Sequence, residues 1–194
     1  MLISANSTAW RNFTRHLLKW EGKTSSDPRD TAARCYPGGI HTNKGITFCT
    51  FKEMAPRLGI TPVTHARFLK LTDAEVARFM YEYYLQVNGQ LYPVNLALAM
   101  TEAAFMSGAS RALAHLREAV AANGLPARTT AQATQNAAKL PLNKLFSSYQ
   151  SARRSFLERL GAQAKYSMFI RGWLNRLADF NAKFTPKSIL PFFF

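Results

Sequence analysis

A chain of 194 residues with 47% hydrophobic and 12% aromatic side chains carries enough apolar surface to fold around a core, which excludes an intrinsically disordered protein. Its 25 Lys and Arg outweigh 11 Asp and Glu for a formal net charge of +14, so an anionic partner is expected; nucleic acid, an acidic membrane surface and an anionic cell-wall polymer all satisfy that charge. No stretch reaches the roughly 18 consecutive apolar residues that span a bilayer, and MLISANSTAW lacks the basic start and apolar run of a secretory signal, so synthesis in the cytoplasm is expected.

Ser7 or Thr8 can cap a first helix in which Trp10, Phe13, Leu17 and Trp20 recur at three- and four-residue spacing, with Arg11, Arg15 and Lys19 outside. Glu21 ends it and Gly22 stops it. Residues 24–47, TSSDPRDTAARCYPGGIHTNKGIT, are too polar for a buried strand and read as an irregular loop. A short helix over 50–58 follows, Pro62 suits the first position of another, and Thr72 with Glu75 forms a capping box for a helix whose inner face is Val76, Phe79, Met80 and Tyr83, ending near Asn88-Gly89.

Beyond that point the pattern is helical. Residues 93–106 are apolar on nearly every side and mark a central buried helix. Ser107-Gly108 breaks it, the next helix runs to Asn123-Gly124, and 125–141 read as a polar connection. Leu142, Leu145, Phe146, Tyr149, Ala152, Phe156 and Leu160 form an amphipathic stripe, and Tyr166, Phe169, Ile170, Trp173, Leu177 and Phe180 another. The apolar tail SILPFFF is expected to dock on the body. The scattered cations, Arg153 and Arg176 among them, form no Lys/Arg block and read as a solvated surface.

The chain's acids are few, yet Glu21, Asp27 and Asp30 fall within ten residues. Loops on a rigid scaffold are where chemistry concentrates. Cleavage of a glycosidic bond needs one carboxylic acid that keeps its proton and a second carboxylate that stays ionised. The partial negative charge at a helix C-terminus suits Glu21 to the first part, with Trp20 beside it to exclude water. Asp27 and Asp30 stand in a polar setting where Arg29 or Arg34 can hold either one ionised. The plainer reading makes Glu21 a solvated helix end and Asp27-Pro28 an Asx turn. Cys35 and Cys49 read as two reduced thiols in a chain without an export signal, a bridge closing the loop being the alternative after release from the cell. His16, His41, His65 and His115 have no metal-ligand spacing, so neither a metal nor another cofactor is expected. His41 suits a hydrogen-bonding part in the loop.

The ordered set Glu21-Gly22, Asp27-Pro28, Asp30, Gly38-Gly39, Thr42 and Gly45-Ile46-Thr47 resembles the N-terminal domain of glycoside hydrolase family 108, lysozyme-like N-acetylmuramidases of which some are called secretion activator proteins. The second half resembles the peptidoglycan-binding domain usually fused to it: Glu102 through Gly108 stands where that domain has an acid followed by Asn-Ser-Gly, and Gly172-Trp173-Leu174-Asn175-Arg176 matches its Gly-Trp-x-Asn-Arg signature. Here Lys23 replaces the second Gly of the family's Glu-Gly-Gly, residues 32–37 look like an insertion carrying Cys35, and Phe105-Met106 replaces Val-Asn.

The resemblance implies a mainly α, lysozyme-like fold with an irregular active-site loop, a catalytic domain over 1–90 and a helical domain over 91–194 packed on it. It implies cleavage of the β-1,4 bond between N-acetylmuramic acid and N-acetylglucosamine, with Glu21 as acid. Read from the residues, Asp30 or failing that Asp27 is the expected partner, and Thr42 or Thr47 is expected to position water. Gly39, His41, Asn43, Gly45 and Trp173 are the expected substrate contacts, although helical spacing reads Trp173 first as core. The expected partner is peptidoglycan, met after release from the cell, by a monomer. A wall-binding or secretion-regulating protein without catalysis and a lytic transglycosylase are the alternatives. A nucleic-acid binder lacks the clustered basic and aromatic motifs of the recognised modules.

Overall fold

The computed structural model describes residues 3–4, 7–22 and 24–186. The chain divides into two compact units, Ile3–Glu82 and the residues from Tyr83 onward. The fold is mainly α and lysozyme-like; the SILPFFF tail lies outside the described residues.

In the N-terminal unit, Ser7 Oγ accepts the Trp10 N–H at 3.1 Å and starts α1 (Thr8–Trp20). Trp10, Phe13 and Leu17 are buried along one face, and the Trp10 ring meets Tyr81 edge-on at 5.2 Å, which holds α1 against α4 (Asp73–Gln86). The expected capping box is formed: Thr72 Oγ1 accepts the Glu75 N–H at 3.2 Å, and Glu75 Oε2 accepts the Thr72 N–H at 2.9 Å. Val76, Phe79 and Met80 are fully buried; Tyr83, expected with them, is half-buried and falls in the C-terminal unit. Phe51 of α2 (Phe48–Met54) meets Phe68 of α3 (His65–Leu69) at 5.5 Å and Phe79 of α4 at 6.3 Å, so two short helices and α4 share one aromatic core.

Two expectations are corrected here. Residues 24–47 carry a three-stranded antiparallel sheet, β1 (Thr24–Ser25), β2 (Thr42–Asn43) and β3 (Ile46–Thr47), two residues each. Strands this short have no alternation for a pattern to detect. Pro62 does not open a helix: Thr61–Pro62 is cis, and Thr64, whose Oγ1 accepts the Arg67 N–H at 3.3 Å, caps α3 two residues later.

In the C-terminal unit, α5 (Val94–Ser107) is buried from Leu96 through Ala104 and touches α6 (Ala109–Ala121), α8 (Leu142–Gly161) and α9 (Ile170–Phe184). The polar connection contains a further helix, α7 (Thr130–Ala137), capped by Thr129 Oγ1 on the Gln132 N–H at 3.1 Å. The overlooked signal is the Thr129-x-x-Gln132 spacing of a capping box, although Gln132 Oε1 accepts the N–H of Arg128, one residue before the cap, at 2.9 Å.

Arg153 and Arg176 are not surface cations. Glu102 on α5 is wholly buried; Arg153 of α8 donates to its Oε2 and Arg176 Nε of α9 to its Oε1 at 2.7 Å. Burial pushes the Glu102 carboxyl up, and the two guanidiniums more than offset this, holding it below the usual carboxylate range. One carboxylate thus ties three helices together. Glu102→Ala leaves two buried guanidiniums without their acid and is expected to cost about 3–5 kcal/mol in urea unfolding; a loss under about 1 kcal/mol, the worth of an exposed pair, would show that the triad does not hold these helices.

Candidate active site

The helix that carries Glu21 ends at Trp20. The Glu21 N–H still reaches the Leu17 carbonyl at 3.1 Å, but its backbone is extended, at φ −79° and ψ 115°, so the residue leaves the helix axis half-buried. Three residues on, β1 begins. Its partner strand fixes the register, Ser25 opposite Thr42 and Thr24 opposite Asn43, while Thr42 stands opposite Thr47. The β2–β3 turn is Lys44-Gly45, with φ of 49° and 78°, the left-handed pair that matches the twist of a two-residue hairpin. Gly45 therefore serves the turn, and Lys44 is tied by its ammonium to Asp73.

The acidic excursion between β1 and β2 is closed by His41, which is 1% exposed. Its N–H donates to the Ser25 carbonyl at 3.0 Å and its carbonyl accepts the Phe48 N–H at 2.8 Å. Its ring nitrogens lie 3.2 Å from the Asp27 carbonyl and 3.0 Å from Thr42 Oγ1. Asn43, also buried, donates to the Phe68 carbonyl at 2.8 Å. Both side chains, expected as substrate contacts, brace the loop from inside. Thr47 Oγ1 accepts the Thr50 N–H at 3.1 Å and caps α2.

Cys35 and Cys49 are joined, which overturns the reading as free thiols. The bridge pins the short 3-10 segment Thr31–Cys35 to the start of α2. Next to it, Tyr36 stacks on His65 at 3.8 Å and meets Phe48 edge-on at 5.5 Å, and His65 Nε2 lies 2.7 Å from the Ile40 carbonyl. Gly39 fits under the Tyr36 ring, where a Cβ would come within 2.6 Å of it. His65 stands some 20 residues beyond the motif, and nothing in its local sequence marks it as part of this wall.

The two aspartates differ. Arg29 Nε lies 2.9 Å from Asp27 Oδ1, Arg29 Nη2 lies 2.7 Å from Oδ2, and the Arg29 N–H adds 3.0 Å to Oδ1. That forked side-chain bond, with the backbone N–H behind it, draws the Asp27 carboxyl down to about 2. Asp30 caps the 3-10 segment, its Oδ1 accepting the Ala32 N–H at 2.9 Å, and its Oδ2 has no hydrogen bond among the described residues. Trp173 belongs to the C-terminal unit, half-buried between Tyr166 and Phe169 at 6.0 and 5.9 Å. Among the described residues no group of three or more His, Cys, Asp and Glu is placed to hold a metal ion.

A resonance titration of the Asp27 carboxyl is expected to have its midpoint at about 2, so that the ion pair is intact at all higher pH and is lost only as pH falls through that value. In Arg29→Ala the midpoint moves to about 4, and a midpoint there in the unaltered protein would contradict the pairing. The Cys35→Ser, Cys49→Ser double variant removes a cross-link over 14 residues and is expected to lower stability by about 3 kcal/mol in urea unfolding. Unchanged stability would mean that the loop is held by His41 and the aromatic wall alone.

The glycosyl hydrolase 108 profile matches residues 14–108, and the predicted peptidoglycan domain profile matches residues 99–178. No curated protein matches the chain. The solved structure of Brucella abortus SagA is 24% identical, covers 93% of this chain and 98% of its own, and superposes with a TM-score of 0.68, a likeness of fold. With its two profiles covering the Glu21 loop and the Gly-Trp-x-Asn-Arg helix in turn, the chain carries a glycosyl hydrolase 108 domain over residues 14–108 and a predicted peptidoglycan domain over residues 99–178.

Proposed function

We propose that this glycoside hydrolase is an N-acetylmuramidase that cleaves the β-1,4 bond between N-acetylmuramic acid and N-acetylglucosamine. The observation that carries the reading is the placement of Glu21: a carboxyl presented where α1 ends, three residues from a sheet that fixes the acidic loop and the Thr42 hydroxyl on one scaffold. Glu21 protonates the leaving oxygen as the bond breaks. Asp30 is the better partner. Both Asp27 oxygens are engaged by Arg29, whereas Asp30 keeps Oδ2 for a water or for the positive charge that develops on the sugar. Thr42 is the better hydroxyl to orient that water, because Thr47 Oγ1 is held by both the N–H and the hydroxyl of Thr50, whereas, among the described residues, Thr42 Oγ1 meets the His41 ring alone. In this proposal the N-terminal unit performs the catalysis and the C-terminal unit engages the wall.

Two further features support a wall substrate. A net charge of +14 draws the protein to an anionic polymer. The Cys35–Cys49 bridge suits action outside a reducing cytoplasm, after release from the cell.

Glu21→Gln retains shape and hydrogen bonding but has no proton to donate, and clearing of a cell-wall suspension is expected to fall about 10²–10⁴-fold with an unchanged circular dichroism spectrum. Asp30→Asn is expected to lower clearing more than Asp27→Asn. Clearing by Glu21→Gln at the unaltered rate would sink the assignment, and equal rates for the two Asp variants would move the second role elsewhere.

A further inference from the structure

In the C-terminal unit a groove of about 220 Å³ runs between α8 and α9. On α8 it is lined by Asn143, Phe146, Ser147, Gln150, Ser151 and Arg154, which follow one another by the three- and four-residue steps of a single helix face; Asn181 and Thr185 of α9 line it opposite. Such a stripe is ordinarily apolar where it packs and charged where it meets water. Apart from the buried Phe146, this one carries amides and hydroxyls with one cation at its end, groups able to exchange directional hydrogen bonds with a ligand.

The floor of the groove is held rigid. Gln150 is 6% exposed; its Nε2 donates to Asn181 Oδ1 at 2.6 Å and its Oε1 accepts from Arg153 Nη1 at 3.0 Å. Arg153 is in turn fixed on Glu102, which also holds Arg176. The buried triad therefore orients the amides at the base of the groove. Arg154 is half-exposed, and its acidic neighbour Glu158 stands 3.7 Å away, a loose pair that leaves the guanidinium able to take a carboxylate.

These groups select a class of ligand. The Ser147 and Ser151 hydroxyls, with the Asn181 amide N–H whose oxygen alone is taken by Gln150, match the N–H and C=O groups of a peptide, and Arg154 matches a carboxylate at one end of it. Phe146, at 3% exposure, offers no face on which a sugar ring can stack. The volume, below the roughly 300–1,000 Å³ of small-molecule sites, suits a short segment only. We infer that the groove is a subsite for a short acidic peptide and, resting on the wall substrate proposed above, that this peptide is the stem of peptidoglycan.

The test is a nuclear magnetic resonance titration of the full chain with the free stem tripeptide alanyl-γ-glutamyl-diaminopimelate, and separately with N,N′-diacetylchitobiose. The tripeptide is expected to shift the signals of Ser147, Ser151 and the Gln150 and Asn181 amides. Arg154→Gln, a change at an exposed position, is expected to weaken this binding about tenfold or more at unchanged melting temperature. Chitobiose is expected to leave the same signals in place. Absence of tripeptide shifts there, shifts indifferent to Arg154→Gln, or equal response to chitobiose would each overturn the subsite. The tripeptide contains no glycosidic bond, so the result does not depend on Glu21; a failed titration beside intact glycan cleavage would remove the subsite alone, and the reverse outcome would remove the muramidase reading alone.

Discussion

The acidic loop of the N-terminal unit depends on one buried histidine. Residues 26–40 leave the sheet after Ser25 and return at His41, and a polar excursion of that length has no core of its own to hold it. His41 supplies the closure: two backbone hydrogen bonds tie it to Ser25 and Phe48, and its ring reaches back to the Asp27 carbonyl and across to Thr42. The disulfide and the Tyr36–His65 stack fix the far side of the same excursion. A general acid contributes only when the groups around it are placed to within a fraction of an ångström, so such bracing is a precondition for the role proposed for Glu21.

The C-terminal unit solves a different problem with a different device. Its central helix is apolar almost all round, and helices packed on such a surface have little to set their rotation and register. Glu102 provides a directional contact at the middle of that helix, and only an α8 and an α9 that present Arg153 and Arg176 at the right heights can satisfy it. The arginine of the Gly-Trp-x-Asn-Arg signature is thus an internal tie in this chain. Through Glu102 and Arg153 it is linked to Gln150 at the base of the groove.

What could be read from the residues followed from how local each signal is. The α1 stripe, the Thr72–Glu75 capping box and the apolar 93–106 segment all lie within one or two helical turns, and each appears where its spacing places it. The position of Glu21 at a helix end was legible for the same reason. The sheet was not, since two-residue strands are defined by their partners and not by their own sequence. Neither was the burial of Arg153 and Arg176: an arginine inside an amphipathic stripe looks like a solvated cation until an acid on a third helix is found beneath it. The disulfide was hidden by the apparent compartment, because fourteen residues of separation say nothing about whether two Cβ atoms face each other. The sequence marks His41 and Asn43 as candidate substrate contacts, but the direction of their side chains, inward to backbone carbonyls, is a property of the fold.

An acid at a helix end, a braced loop with one aspartate tied and another carrying an open oxygen, and a second unit whose profile is that of a peptidoglycan domain together suit the proposed hydrolysis of a glycosidic bond, with water as the acceptor. Mass spectrometry of the soluble fragments released from purified peptidoglycan measures that directly. Fragments ending in reducing N-acetylmuramic acid are the predicted result. Fragments ending in 1,6-anhydro-N-acetylmuramic acid would mean that no water enters the reaction, and peptidoglycan left intact but carrying bound protein would mean that this chain holds the wall without cutting it.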